Sequence, residues 1–368
     1  MRLPSFNDLT KDQRAVYFQP EDASMLVVGP PGSGKTSMAI WRAKTLAGGE
    51  EPSSVALITK NRLLASVAGR LAFEQGATQL QALTMNSFMS REYYGQFQTS
   101  VPAWRDFDYN WDEVIANYAG RGLEPTLDHL IIDEGQNLPP GFFLWASRFG
   151  AKAVSVFADE DQTTDGAGSK MSDFAAAGFI AAIPLLANHR NTQEIVDLVQ
   201  HFHVNGIIPS AASTRGRGGE PPKLLRTTTW EELVQTVTAR FRNRGGSIGV
   251  IVHLVEDIER LHGLLSQALG GARVEYYTNR LDHGVEHAIQ MREEGVTVIS
   301  SKSAIGLEFD TVYLQDLSRF LPPASMADFR NLYMLCARAK DALFLVNGPQ
   351  PLDPAQLAAL PPPPVLER

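Results

Sequence analysis

Predominantly apolar runs without regular alternation mark this chain at Met25–Val28, Val55–Thr59, 130–132, 153–158, 247–253, 296–300, 311–314 and 342–346, as strands buried on both faces would. Between them, apolar residues recur with helical spacing. The clearest case is 61–73, where Leu63, Leu64, Val67, Ala68, Leu71 and Ala72 form one stripe. Helices are also expected from Ser37 onward, near 192–202, and over 230–242, 258–269 and 328–340, while 83–88 reads as a strand end running into a loop. Strand and helix alternating in this way predict an α/β chain with two related lobes. A first domain spans 1–185 and a second spans 186–348. Residues 90–127 crowd Tyr93, Tyr94, Phe97, Trp104, Phe107, Tyr109, Trp111 and Tyr118 among polar residues, as a small insertion with its own core would. The Gly-rich basic stretch around Arg215 and Arg217 reads as a solvated linker, and the Pro-rich tail over 349–368 is expected to pack poorly.

Composition agrees with two domains, since 368 residues exceed one comfortable core. The chain has 33 Lys and Arg against 41 Asp and Glu, a net charge of −8. No global positive field announces a nucleic acid, so any such contact must come from a local groove. One cysteine, Cys336, excludes an internal disulfide and a thiolate zinc cluster. No apolar run approaches the roughly 18 residues of a membrane span, and residues 1–8 carry no signal-peptide core. No membrane partner and a reducing, cytoplasmic setting are therefore expected.

The chemistry centres on residues 29–36, GPPGSGKT, between the first apolar run and a helix. In that context G-x-x-x-x-G-K-[ST] is a phosphate cradle. Gly29, Gly32, Ser33 and Gly34 supply a backbone that closes on phosphates, and the helix start adds its positive dipole end. Lys35 reaches the β and γ phosphates, and Thr36 holds Mg²⁺. Gln13, shortly before the loop, offers an amide that can read the adenine edge with two hydrogen bonds. A hundred residues on, the run ending at Ile132 delivers Asp133 and Glu134, followed by Gln136. Adjacent carboxylates at a strand exit divide two jobs: Asp133 serves the metal and Glu134 acts as the base for an attacking water. The run at 153–158 likewise leads to Gln162, whose amide suits a γ-phosphate sensor. Thr84, Ser87 and Phe88 place short polar side chains beside an aromatic, a set that either grips a nucleic acid or packs under a loop.

Taken in order, these landmarks resemble a superfamily 1 helicase of the UvrD/Rep/PcrA type. The similarity runs from Leu9 to Gln13, through the 29–36 loop, 58–64 with Lys60, the Thr84/Ser87/Phe88 element, the Asp133-Glu134-Gly135-Gln136 motif and 159–162. It continues through Asn188-His189-Arg190, Gly306-Leu307-Glu308-Phe309 with Lys302 ahead of it, and 333–340 with Arg338. What the resemblance implies is two RecA-like P-loop NTPase domains with parallel sheets and an ATP cleft between them. ATP and Mg²⁺ are the implied cofactors, and single-stranded DNA, or RNA, is the implied partner. Lys35, Glu134, Gln162, Arg190 and Arg338 become catalytic, with the two arginines acting on the γ-phosphate. Ser37 and Glu308 join the nucleotide contacts, and Lys60, Thr84, Ser87, Phe88 and Lys302 face nucleic acid.

Several positions depart from the family pattern. His189 and Ser37 stand where the family carries Tyr and Arg around adenine, Ile305 stands ahead of Gly306, and 163–168 has no aromatic residue. The large second-lobe insertion is absent. These departures keep a second function in view: a nucleotide-dependent regulatory ATPase subunit of a DNA repair or defence complex, working on a protein partner such as a nuclease. A P-loop kinase fits residues 29–36 alone and leaves Asp133, Glu134 and Arg338 without a role.

Overall fold

The structure, a computed structural model, describes residues 3–48, 53–159, 168–203, 212–290, 293–315 and 317–368. Gln162 lies outside the described residues. The chain divides into two compact units. One holds the described residues up to Pro30 together with Gly34–Leu185; the other holds Pro31–Ser33 and Leu186–Arg368.

The first unit is built on strands β1 (Met25–Val28), β2 (Val55–Thr59), β3 (Gln81–Thr84), the short hairpin β4 (Ala103–Arg105) and β5 (Asp108–Tyr109), β6 (Leu127–Ile132), β7 (Ala151–Ala158) and β8 (Ala182–Pro184). Its main sheet has the order β3-β2-β6-β7-β1-β8, and every pairing is parallel. Parallel strands need crossovers that cover both faces, which is why the apolar runs of β1 and β2 are buried at every residue. Register aligns Val28 with Ala158 and Ile132 with Val156, so β1, β6 and β7 end at one edge.

Helices α1 (Lys11–Tyr17), α2 (Lys35–Ala47), α3 (Arg62–Glu74), α4 (Met85–Phe97) and α5 (Trp111–Arg121) belong to this unit. Two expectations are corrected. Residues 85–88 are helical: the Thr84 hydroxyl caps α4 by accepting from Ser87 N at 3.2 Å, a local hydrogen bond that starts a helix where a loop was expected. The aromatic insertion has no separate core either. Tyr118 lies 6.1 Å from Tyr93, 5.2 Å from Phe97 and 5.5 Å from Trp145, which joins the insertion to the body of the unit.

Within β6, His129 is buried, with Nδ1 at 3.1 Å from Glu21 O and Nε2 at 2.8 Å from Ser155 Oγ. A carbonyl can only accept, so Nδ1 carries the proton and Nε2 accepts from the Ser155 hydroxyl. Burial, aided by the Arg42 guanidinium, holds this imidazole down to about 4 from its ordinary 6.5. Unfolding restores the ordinary value, so the unfolded chain binds the extra proton first. The contribution is whole above about pH 6.5 and is lost as pH falls toward 4, by at most about 3 kcal/mol. Denaturant midpoints across that range should show a shallower acid-side slope for His129→Gln than for the wild type.

The second unit repeats the plan with β9 (Lys223–Arg226), β10 (Ser247–Val252), β11 (Val274–Tyr277), β12 (Gly295–Ser300), β13 (Phe309–Leu314) and β14 (Ala339–Asn347). Its order is β11-β12-β10-β13-β14-β9, again parallel throughout. Trp230, Leu233, Ile258, Leu261 and Leu265 of the two helices on one face pack against Ile248, Val250, Val296 and Val298. The helix expected over 328–340 runs instead over Met326–Cys336, started by a Ser325/Asp328 capping box, and β14 begins at Ala339.

The linker around Arg215 is pinned. Arg215 Nη1 donates to Arg190 O at 2.7 Å and Lys340 O at 3.0 Å, and Arg217 pairs with Asp197 at 2.9 Å. Residues 349–368 are packed too. Leu352, Leu360 and Leu366 are buried, Leu224 N donates to Glu367 O at 2.7 Å, and Glu367 N donates to Pro222 O at 2.9 Å. Proline content suggested a loose tail; a few leucines and a backbone bridge hold it.

Candidate nucleotide site

In the first unit, the edge where β1, β6 and β7 end gathers Gly29, Asp133 and Asp159. Gly34 opens α2 at φ 91°, in the left-handed region that favours glycine, and a Cβ there would come within 2.6 Å of Gln13 Nε2. Lys35 follows, and its ammonium donates to Gly29 O at 2.6 Å and Pro30 O at 2.9 Å, with Asp159 Oδ2 at 3.5 Å. A buried ammonium is thus held inside the glycine-rich turn.

Asp133, at the exit of β6, is buried, and neither carboxyl oxygen completes a hydrogen bond among the described residues. Burial, with Glu134 next to it, pushes its carboxyl well above the usual range, while the Thr36 side chain and the Lys35 ammonium pull it back. A desolvated carboxylate beside a threonine hydroxyl is a hard-oxygen donor set, and its orphaned oxygens fit Mg²⁺. Among the described residues no group of three or more His, Cys, Asp or Glu could hold an ion by itself. The set therefore suits a cation that keeps waters and shares phosphate oxygens.

Glu134 sits at φ 55°, a left-handed conformation that costs a non-glycine residue on the order of 1–3 kcal/mol. Gly135 follows because a Cβ there would lie 2.9 Å from Val156 Cγ1. The Glu134 carboxylate is fixed by Gln136, whose Nε2 donates to Glu134 Oε2 at 2.6 Å. The same amide accepts through Oε1 from Asp159 N at 3.0 Å, and Gln136 O accepts from Ser169 N at 3.0 Å. A carboxylate can only accept and a backbone N–H can only donate, so the two ends fix the amide orientation.

Gln136 and Asp159 join the candidate site, although the sequence placed them in motifs without giving either a role. The signal that finds them is a buried polar side chain at a strand exit with a charged neighbour. Gln136→Leu should lower kcat by about 10- to 100-fold, the worth of one hydrogen bond to a charged group, with little change in KM.

The remaining sequence-derived residues are less gathered. Gln13 is buried and forms a capping box with Thr10: its Oε1 accepts from Thr10 N at 3.1 Å, and its N–H donates to Thr10 Oγ1 at 3.3 Å. Ser37 is half-buried in the first turn of α2. Lys60 donates to Asn137 O at 2.9 Å, joining the exit of β2 to the segment after Glu134. Phe88 is buried 6.0 Å from the Trp145 ring, with its face in the core.

In the second unit Gly32 and Ser33 are buried, and Arg190 Nε lies 2.7 Å from Glu308 Oε2. Burial is the largest influence on the Glu308 carboxyl and raises it, but the Arg190 guanidinium and further positive charges, the Lys340 ammonium among them, together outweigh burial and hold the group below the usual carboxylate range. Arg338 is 1% exposed, with Nε donating to Met334 O at 2.9 Å and Nη1 to Leu307 O at 3.2 Å. Lys302 is exposed.

No family model matches the sequence, and no curated protein matches it. Among solved structures the chain is similar to the C-terminal domain of a possible DNA helicase from Lactobacillus plantarum. That likeness has 23% identity over 49% of this chain and 97% of the other, with a TM-score of 0.34. No helix of the described residues is long and apolar enough to cross a membrane.

Proposed function

We propose that the chain is an ATP hydrolase that converts nucleotide turnover into movement along single-stranded nucleic acid, DNA in preference to RNA. The observation that carries this reading is the convergence of buried Lys35, unpartnered Asp133 beside Thr36, and Glu134 held by Gln136 at the ends of neighbouring parallel strands. In this reading the loop N–H groups and the start of α2 receive the phosphates. Lys35 exchanges the carbonyls of Gly29 and Pro30 for phosphate oxygens. Thr36 and Asp133 would hold Mg²⁺, which neutralises charge on the phosphate oxygens. Glu134 takes a proton from the water that attacks the γ-phosphorus, and Gln136 holds the receiving carboxylate in place.

Gln162, Arg190 and Arg338 have the proposed role of stabilising charge on the transferred phosphoryl group. Arg190 must leave Glu308 to do so, and Arg338 must leave the carbonyls of Met334 and Leu307. Gln13, Ser37 and Glu308 are proposed as nucleoside contacts, and Lys60, Thr84, Ser87, Phe88 and Lys302 as contacts to the strand. The deciding measurement is the ATPase rate with and without single-stranded DNA and RNA oligonucleotides. Stimulation by DNA supports the reading, and a basal rate that neither strand alters overturns it.

A second reading is favoured by one observation. Thr84 is occupied as a helix cap and Phe88 is buried, so two proposed strand contacts are engaged within the fold. A regulatory ATPase subunit acting on a protein partner needs neither. Translocation by the isolated chain would exclude this alternative.

A further inference from the structure

The β4–β5 hairpin carries aromatic side chains that the fold does not use. Trp104 is 75% exposed, Phe107 73% and Tyr94, on the neighbouring α4, 56%. Phe107 sits at φ 64° in the turn, a conformation that few bulky residues adopt. The backbone strain opposes folding, and the exposed ring contributes little burial to offset it. Tyr94, Phe107 and Tyr109 line an open groove of about 370 Å³ together with Ser90, Ser100 and Asp106. No basic side chain lines it.

Charge defines what the groove can take. Between positions 90 and 113 the sequence has Glu92, Asp106, Asp108, Asp112 and Glu113 against Arg91 and Arg105, a local net charge of −3. Arg105 is already paired with Asp108 at 3.0 Å, whereas Asp106 makes no ion pair among the described residues. Phosphates would meet these carboxylates, so the exposed rings do not suit a nucleic-acid strand. Aromatic faces with a carboxylate on the rim attract an organic cation, by the ring quadrupole and by direct charge.

We propose that this groove is a docking site for an arginine or lysine side chain presented by a basic segment of a partner protein. The inference stands on the hairpin alone and is independent of the nucleotide site. It is tested on the full chain with a labelled glycine-flanked arginine peptide, the same peptide with citrulline in place of arginine, and a labelled oligothymidine. The arginine peptide should bind more tightly than the citrulline peptide by about 5- to 30-fold, and more weakly as salt rises. Phe107→Ala and Asp106→Asn should each remove most of that difference while leaving ATPase activity unchanged. Both positions are exposed, and Trp104→Ala supplies a third surface variant should either perturb the turn. Equal binding of the two peptides, no binding of either, or wild-type affinity in all three variants overturns the proposal. So does oligothymidine binding that the same variants abolish, because that would assign the rings to nucleic acid. Lys35→Ala keeps peptide binding intact in this scheme, which separates its failure from that of the ATPase reading.

Discussion

Lys35→Ala is expected to abolish detectable ATP turnover, with a loss of at least about 10²–10³ in kcat, the usual effect of deleting one preorganised charge donor. The expectation rests on position: the ammonium is buried inside the turn, held by Gly29 O and Pro30 O within reach of Asp159. Nucleotide affinity should fall together with turnover, since the same contact serves the bound state and the transition state. The substitution also removes a buried cation beside the Asp159 carboxylate, so stability should be recorded alongside activity. Lys35→Arg, which keeps the charge, separates the two effects. If Lys35→Ala hydrolysed ATP normally while remaining folded, residues 29–36 would not be the phosphate cradle.

Glu134→Gln should show a different signature. A positioned base contributes about 10²–10⁴ to rate, and its amide isostere keeps the shape of the side chain. Turnover should collapse while nucleotide binding persists, and the bound fraction should survive gel filtration longer than in the wild type. The left-handed backbone at Glu134 is unaffected by the swap, because Gln tolerates φ 55° no better and no worse than Glu. Gln136 sharpens the expectation. Its Nε2 still finds a carbonyl-type oxygen in the variant, so the amide relay to Asp159 N remains while the proton acceptor is gone. Wild-type turnover by Glu134→Gln would remove Glu134 from the chemistry and leave Asp133 and Thr36 as a binding site only.

The parallel sheets were legible because strands covered on both faces are written as predominantly apolar runs, and β1, β2, β10 and β12 each stand where such a run predicts. Less regular strands were read only in part, as β3 was through its end at 83–84, or escaped altogether. β3, β9 and β11 alternate or carry charge at the sheet margins, where burial is partial. The Asp133-Glu134 pair could be read because two carboxylates after Ile132 have few structural uses. Gln136 could not be weighed in the same way, since its role depends on the backbone N–H of Asp159, 23 residues away. Arg338 shows the same limit from the other side. The apolar pattern placed Arg338 on a helix over 328–340, whereas the helix stops at Cys336 and the side chain donates to the carbonyls of Met334 and Leu307. Capping accounts for two helix starts that the apolar pattern misplaced: Thr84 and Ser325 each accept a backbone N–H of the first turn through their hydroxyls.

The bridge between Leu224 and Glu367 has a consequence for pairing with other chains. β9 is the last strand of its sheet, and the margin of a sheet offers unpaired amides and carbonyls to any other extended chain. Residues 349–368 occupy that margin: Leu224 N reaches Glu367 O, while Lys223 Nζ lies 3.7 Å from the Glu367 carboxylate. A Pro-rich segment makes a poor continuation of a ladder, so it closes the edge without offering a new one. At Lys223 and Leu224 the tail thus takes the place another extended chain would need in order to pair with β9.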